Sequence, residues 1–264
     1  MTGTRNKLFA CSVIVLTALM LMPLDKRITK ERRVLKYGGV QITRAVRDQI
    51  GQGMAIGLLA GFRGVVADFL WIQGHSFWEK KEWLRQYRNI QLVTALQPQS
   101  TLFWDTGAWH LAWNIGYAVS ADPSNATQAV GLKRQREWWD AAKSLLERGI
   151  ENVPNRYDLY FSLGWLYMQK YKDPCRAEQQ LAIAASFADA PLYIERLHAR
   201  CAEQCGFLQE AYAEWISMWN TDHTKVNHPW GVVEREIKRL EDELDIPEKD
   251  RVFPKATHPA PAKP

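Results

Sequence analysis

From Leu8 to Leu24 the chain reads LFACSVIVLTALMLMPL, a run of 17 residues that is apolar on every side of a helix. Such a run reaches the lower limit for crossing about 30 Å of hydrocarbon. Arg5 and Lys7 precede it, and no small-x-small cleavage site follows. Residues 1–25 are therefore expected to be a single-pass anchor or an uncleaved signal. A basic linker follows over residues 26–50, with Lys26, Arg27, Lys30, Arg32, Arg33 and Lys36 close to the span. Two Lys/Arg before the run and six after it place the C-terminal bulk in the cytoplasm by the positive-inside rule. A basic pair before an apolar run is also how exported proteins begin.

From about residue 51 the pattern changes. Apolar positions recur three and four apart, the spacing of one helix face. The chain also repeats itself. A shift of 34 residues pairs Tyr160 with Ile194, Leu163 with Leu197, Tyr167 with Cys201, Ala177 with Ala211, Leu181 with Trp215 and Ala184 with Met218. Cys in place of Tyr is a mild change, since a buried Cys behaves as a small hydrophobe. Gly164 falls on His198, and Ala199 beside it takes the small-residue role. An ordinary bundle shows the 3.6-residue period but has no need of a 34-residue one. Farther on, Val232, Val233, Ile237, Leu240 and Leu244 make a narrow stripe among charges. That predicts a capping helix within 228–246. Residues 247–264, rich in Pro, Ala and Lys, are expected to form no packed structure.

Leu163-Gly164-x-x-Tyr167, followed by Ala177, Leu181 and Ala184, resembles the two-helix unit of the tetratricopeptide-repeat family, whose period is 34 residues. Gly206 lies at the turn of the next unit, whose second helix carries Ala211, Trp215 and Met218. Ala142, Leu146, Gly149 and Pro154 fit an earlier second helix, and Trp104-x-x-Gly107-Ala108-x-x-Leu111 fits its first. An insertion of roughly Ser120 to Gln135 separates them. Ala95 to Pro98 would close a more distant unit whose first helix runs from Gln52 to Gln73. The resemblance implies an all-α solenoid of TPR-like hairpins over 51–221, preceded by a single N-terminal transmembrane helix. It further implies a scaffold that binds protein partners in a bacterial envelope, secretion or transport assembly, and no catalysis. GFRGVVADFLWIQG also resembles a segment of bacterial repeat proteins with N-terminal anchors that are regarded as exported. This favours the exported side against the charge count.

Gly53, Gly57 and Gly61 stand four apart and would share one helix face, which permits close helix contact. A second membrane span there is disfavoured by Arg63 and Asp68, because charges are costly at mid-bilayer. A buried first-repeat helix, with a partner docking on its glycines as the sharper version, is the expectation.

Net charge is +5, but much of the excess sits in the N-terminal stretch, so the basic balance is no nucleic-acid signal. The twelve Trp residues are densest from Trp71 to Trp113. Trp, Tyr and Arg are common binding anchors. The expected partner-binding residues are Arg63, Asp68, Trp83, Arg85, Tyr87, Trp104, Trp109 and Tyr160. Within a repeat stack, Cys175 at the start of one second helix would face the end of the next first helix, allowing a disulfide to Cys205 or to Cys201. His223 and His228 share a loop with Asp222 but lack further ligands for a zinc site. No GxSxG, Walker loop or HExxH occurs, and no cofactor is expected. Asn125-Ala-Thr127 fits a glycosylation acceptor. Two rival readings are an envelope-associated enzyme using Asp105, His110 or Glu137, and a lipid-surface module using Lys26–Lys36.

Overall fold

A computed structural model describes residues 61–221 and 229–254. The apolar run 8–24, the basic linker, Gly53, Gly57, His223 and His228 lie outside these residues. Among the described residues there is no strand, and no helix is long and apolar enough to cross a membrane. The chain divides into two compact units, residues 1–103 and 104–264.

In the first unit, α1 (Arg63–Glu79) and α2 (Trp83–Leu96) form an antiparallel hairpin. Val66, Ala67 and Leu70 of α1 pack on Leu92, Val93 and Leu96 of α2, with Phe103 and Trp71 closing the cluster. The described helix begins at Arg63, because Gly61 adopts a left-handed conformation (φ 83°) that interrupts a helix; Gln52, the start expected for it, lies outside the described residues. Gly61 is therefore not part of the helix face expected for it. Asn89 ties the hairpin together, donating through Nδ2 to the Leu70 carbonyl at 2.9 Å and to Gln73 Oε1 at 3.1 Å. The opposite side of α1 exposes Val65, Phe69 and Ile72.

The second unit holds most of α3 (Thr101–Trp109), which runs through a π-helical segment (His110–Ile115) into α4 (Gly116–Ser120). α5 (Gln128–Asn152) packs back on the π-helical segment and on α4. The insertion is thus shorter than the expected 120–135. Asp122 Oδ1 accepts from the Ser124 backbone N–H, and Thr127 caps α5 by accepting from the Val130 N–H. Residues 128–135 then continue as helix.

Next come α6 (Tyr157–Leu166) with its π-helical end (Tyr167–Tyr171), α7 (Pro174–Ala185), α8 (Tyr193–Cys205), α9 (Leu208–Trp219) and α10 (Trp230–Glu243). Each packs on the helix before it. The turns within hairpins are tight and left-handed, at Lys172 (φ 55°) and Gly206 (φ 91°). Asp173 caps α7 through the Arg176 N–H, and Pro174 at the first helical position needs no donor.

Most residues paired by the 34-residue shift form the seam, while Tyr160 and Leu197 are half-buried and Leu197 faces outward. Leu163, Tyr167, Ala177, Leu181, Ala184, Ile194, Cys201, Ala211, Trp215 and Met218 are all buried. Ala199 is fully buried where the pattern asked for a small residue. His198 beside it faces Glu178 (3.0 Å) and Glu214 (3.9 Å) instead.

The end of the described chain departs from the expected structureless tail. After a short 3₁₀ turn (Glu248–Asp250), Val252 and Phe253 donate backbone N–H groups to buried Glu241, at 2.6 and 3.4 Å. The Phe253 ring sits 4.9 Å from Trp219. A buried carboxylate that accepts backbone donors organises this segment in spite of its composition.

Candidate functional site

In the second unit, α6 and α8 are the first helices of their hairpins. Together with α10 they line an open groove of about 400 Å³. Phe161 and Trp165 come from α6, Tyr193, Arg196, Leu197 and Arg200 from α8, and Pro229 and Val232 from the start of α10. Spacings of three and four put these side chains on one face of each helix. The aromatic wall holds itself in place. Phe161 lies 6.0 Å from Trp165 and meets Tyr193 edge-on at 5.5 Å.

The floor behind Arg200 is a charge network. Glu236 is almost wholly buried, its side chain 8% exposed, and accepts from Arg200 (3.1 Å), Arg235 (3.3 Å) and Arg239 (3.0 Å). Burial alone would raise the pKa of Glu236, but the guanidiniums of Arg239, Arg200 and Arg235 hold it below the ordinary carboxylate value. Arg239 also reaches Glu243 at 2.7 Å and Glu203. Glu203 in turn accepts from the Trp215 indole N–H at 2.8 Å. α8, α9 and α10 are thereby locked in register beside the groove.

The expected binding residues are not gathered in this groove. Arg63, Asp68, Trp83, Arg85 and Tyr87 belong to the first unit. Asp68 and Arg85 are exposed, and Arg85 pairs with Glu82 at 2.8 Å and stacks on Phe77. Arg63, Trp83 and Tyr87 are half-buried. Trp104 is core, not surface: it is 2% exposed and fills the space left by Gly149, where a Cβ would stand 2.9 Å from the indole. Trp109 is exposed on α3. Tyr160 points its hydroxyl at the Pro154 carbonyl, and its ring packs on Phe187. Its neighbour Phe161 is the groove residue.

The residues of the enzyme reading have separate partners. Asp105 accepts from the Ser162 hydroxyl, and burial raises its pKa against that bond. His110 meets Asn114 at 2.9 Å, and Glu137 is exposed on α5. Among the described residues no group of three His, Cys, Asp or Glu is placed to hold a metal ion. Asn125, the sequon asparagine, donates to the Val119 carbonyl at 2.8 Å.

Of the two cysteine pairings open from the sequence, the structure contains Cys175–Cys205, which joins the start of α7 to the end of α8 with Cα atoms 5.0 Å apart. Cys201 is a buried thiol, 3.6 Å from the Met168 sulfur. Burial, reinforced by Glu178, pushes its pKa up to about 11. Thiolate is the reactive form. Non-reducing peptide mapping is expected to recover a 175–205 linked fragment. Alkylation at about pH 7.5, well below that raised pKa, should leave Cys201 unmodified until denaturant is added. Rapid labelling of folded protein would contradict its burial.

No protein-family model and no curated protein matches the chain. Among solved structures it is similar to the crystal structure of a thermophilic TPR (tetratricopeptide-repeat) protein of Thermus thermophilus. The identity is 14% and the TM-score 0.38, over 75% of this chain and 98% of that one.

Proposed function

We propose that this chain is a membrane-anchored scaffold of tetratricopeptide type whose α6–α8–α10 groove docks a segment of a partner protein. One observation carries the reading. Three helices converge on a preformed aromatic groove, while the seam of the stack is filled by residues repeating at 34. Rigid aromatic surfaces make good binding anchors because little side-chain entropy is lost on docking. The apolar run at 8–24 supports anchoring. The Cys175–Cys205 bond supports an oxidising, exported compartment for the repeats, where disulfides persist. A role within an envelope, secretion or transport assembly accords with that position.

A photoreactive phenylalanine analogue at Trp165, in the full chain in its native cells, tests the groove. The same analogue at Tyr117, exposed on α4, is the control. Trp165 should give a discrete protein adduct that Tyr117 does not. Tyr193→Ala should weaken it about tenfold or more, as expected for an interfacial aromatic anchor. Equal labelling at both positions, or no adduct at Trp165, would count against the groove.

A further inference from the structure

The groove also carries a charge preference. Of its eight lining residues, six are apolar or aromatic, and the two polar ones are both arginine. Arg196 and Arg200 stand one helical turn apart, so their Cβ atoms are about 5–6 Å from each other. A guanidinium presents a planar fork of donors matched to a carboxylate, and it does so more strongly where apolar walls exclude water. Arg200 shares its internal partner, the single carboxylate of Glu236, with two other arginines, Arg235 and Arg239. No acidic side chain is among the groove's lining residues, so the charged groups it offers an occupant are the Arg196 and Arg200 guanidiniums. Anchored by Glu236, Arg200 also stays in place when the groove is empty, which lowers the ordering cost of binding.

We infer that the groove receives an acidic segment of another protein, with one or two carboxylates set beside an aromatic or aliphatic side chain. This rests on the docking reading above. A volume of about 400 Å³ suits a short segment and not a folded domain. The chain's own outlying segments are the wrong sign. The stretch after the apolar run carries Lys26, Arg27, Lys30, Arg32, Arg33 and Lys36, and residues 255–264 contain two Lys and no Asp or Glu. Either would meet the arginines with like charge.

The test uses the full chain in lipid nanodiscs as bait for a phage-displayed library of random dodecapeptides. Enriched peptides are then synthesised and titrated at low and high salt. The expected result is enrichment of Asp or Glu beside Trp, Phe or Leu. Affinity should fall with added salt and drop about tenfold with Arg196→Gln or Arg200→Gln, the loss of one charged partner. Arg196→Lys, which keeps the charge without the fork, should fall in between. Circular dichroism of each variant reports that it is folded. Binders that are uncharged or basic, or whose affinity Arg196→Gln leaves unchanged, would overturn the acidic assignment while leaving docking intact. No enrichment over empty nanodiscs, or binding unaffected by Trp165→Ala, would overturn the groove reading and this inference with it.

Discussion

Trp215→Ala is expected to destabilise the second unit by about 3–5 kcal/mol, the range for removing a buried aromatic. Trp215 is fully buried in the cluster that joins α8, α9 and α10, among Ala199, Ala202, Ala211, Met218, Val233, Ile237 and Leu240. Three of these neighbours are alanines, and they have no longer side chain with which to fill the space. The cavity therefore stays open and its cost adds to the lost transfer energy. The indole N–H is the second component, since it donates to Glu203 at 2.8 Å. Trp215→Phe retains much of the volume and loses the donor, so it should cost about 2–3 kcal/mol, the scale of one hydrogen bond to a charged group plus a small void. Urea unfolding followed by circular dichroism, with the disulfide intact, separates the two. Equal losses in both variants would mean that the hydrogen bond, not the packing, dominates at this site.

Gly164 should behave in the opposite sense to most helical glycines. Glycine inside a helix ordinarily costs about 1 kcal/mol relative to alanine, so adding a methyl usually helps. At Gly164 a Cβ would stand 2.9 Å from Leu181 Cγ and 3.2 Å from the Ala177 carbonyl oxygen, both in fully buried residues of α7. Overpacking of this kind costs about 1–3 kcal/mol. Gly164→Ala is expected to be net destabilising by about 1 kcal/mol, and Gly164→Val by about 3 kcal/mol or more, as crowding outweighs propensity. Gly231 is the internal control. It also lies in a helix, α10, but a Cβ there meets nothing within 4 Å. Gly231→Ala should be neutral or stabilising by a few tenths of a kcal/mol. If Gly164→Ala proved as harmless as Gly231→Ala, α6 and α7 would not be in the close contact described.

These two sites are legible in the sequence for one reason. Leu181 and Trp215 sit where the two helices of a hairpin touch and pair directly under the 34-residue shift, whereas Gly164 falls on His198 and its small size recurs one position on, at Ala199. The helix start at Arg63 and the short insertion before Gln128 are not legible, because a left-handed Gly61 and the capping of α5 by Thr127 depend on local geometry that periodicity ignores. Trp104 reads as a surface residue for a related cause. Aromatic density along a chain counts core and surface residues alike, and Gly149, which makes room for Trp104, lies 45 positions away.

The groove is harder to read from sequence. Its residues face outward from the seam, so no packing rule fixes their type, and they come from three helices. A signal is nonetheless present. A shift of 32 residues places Phe161 on Tyr193, Trp165 on Leu197, Leu197 on Pro229 and Arg200 on Val232. Six of the seven residues so paired are apolar or aromatic. Read alone, each is an ordinary surface hydrophobe.

When a chain is pulled from its two ends, a covalent cross-link limits how far it can lengthen, and the Cys175–Cys205 bond does so here. The bond spans a sequence separation of 30 residues. At about 3.4 Å per extended residue, roughly 100 Å of chain is unavailable to a pulling force while the bond is oxidised. All of α8 but its last residue lies inside that loop, together with nearly all of α7. The stretch bearing Tyr193, Arg196 and Arg200 cannot be drawn out straight, so tension that extends the rest of the molecule does not pull the groove face of α8 into an open strand.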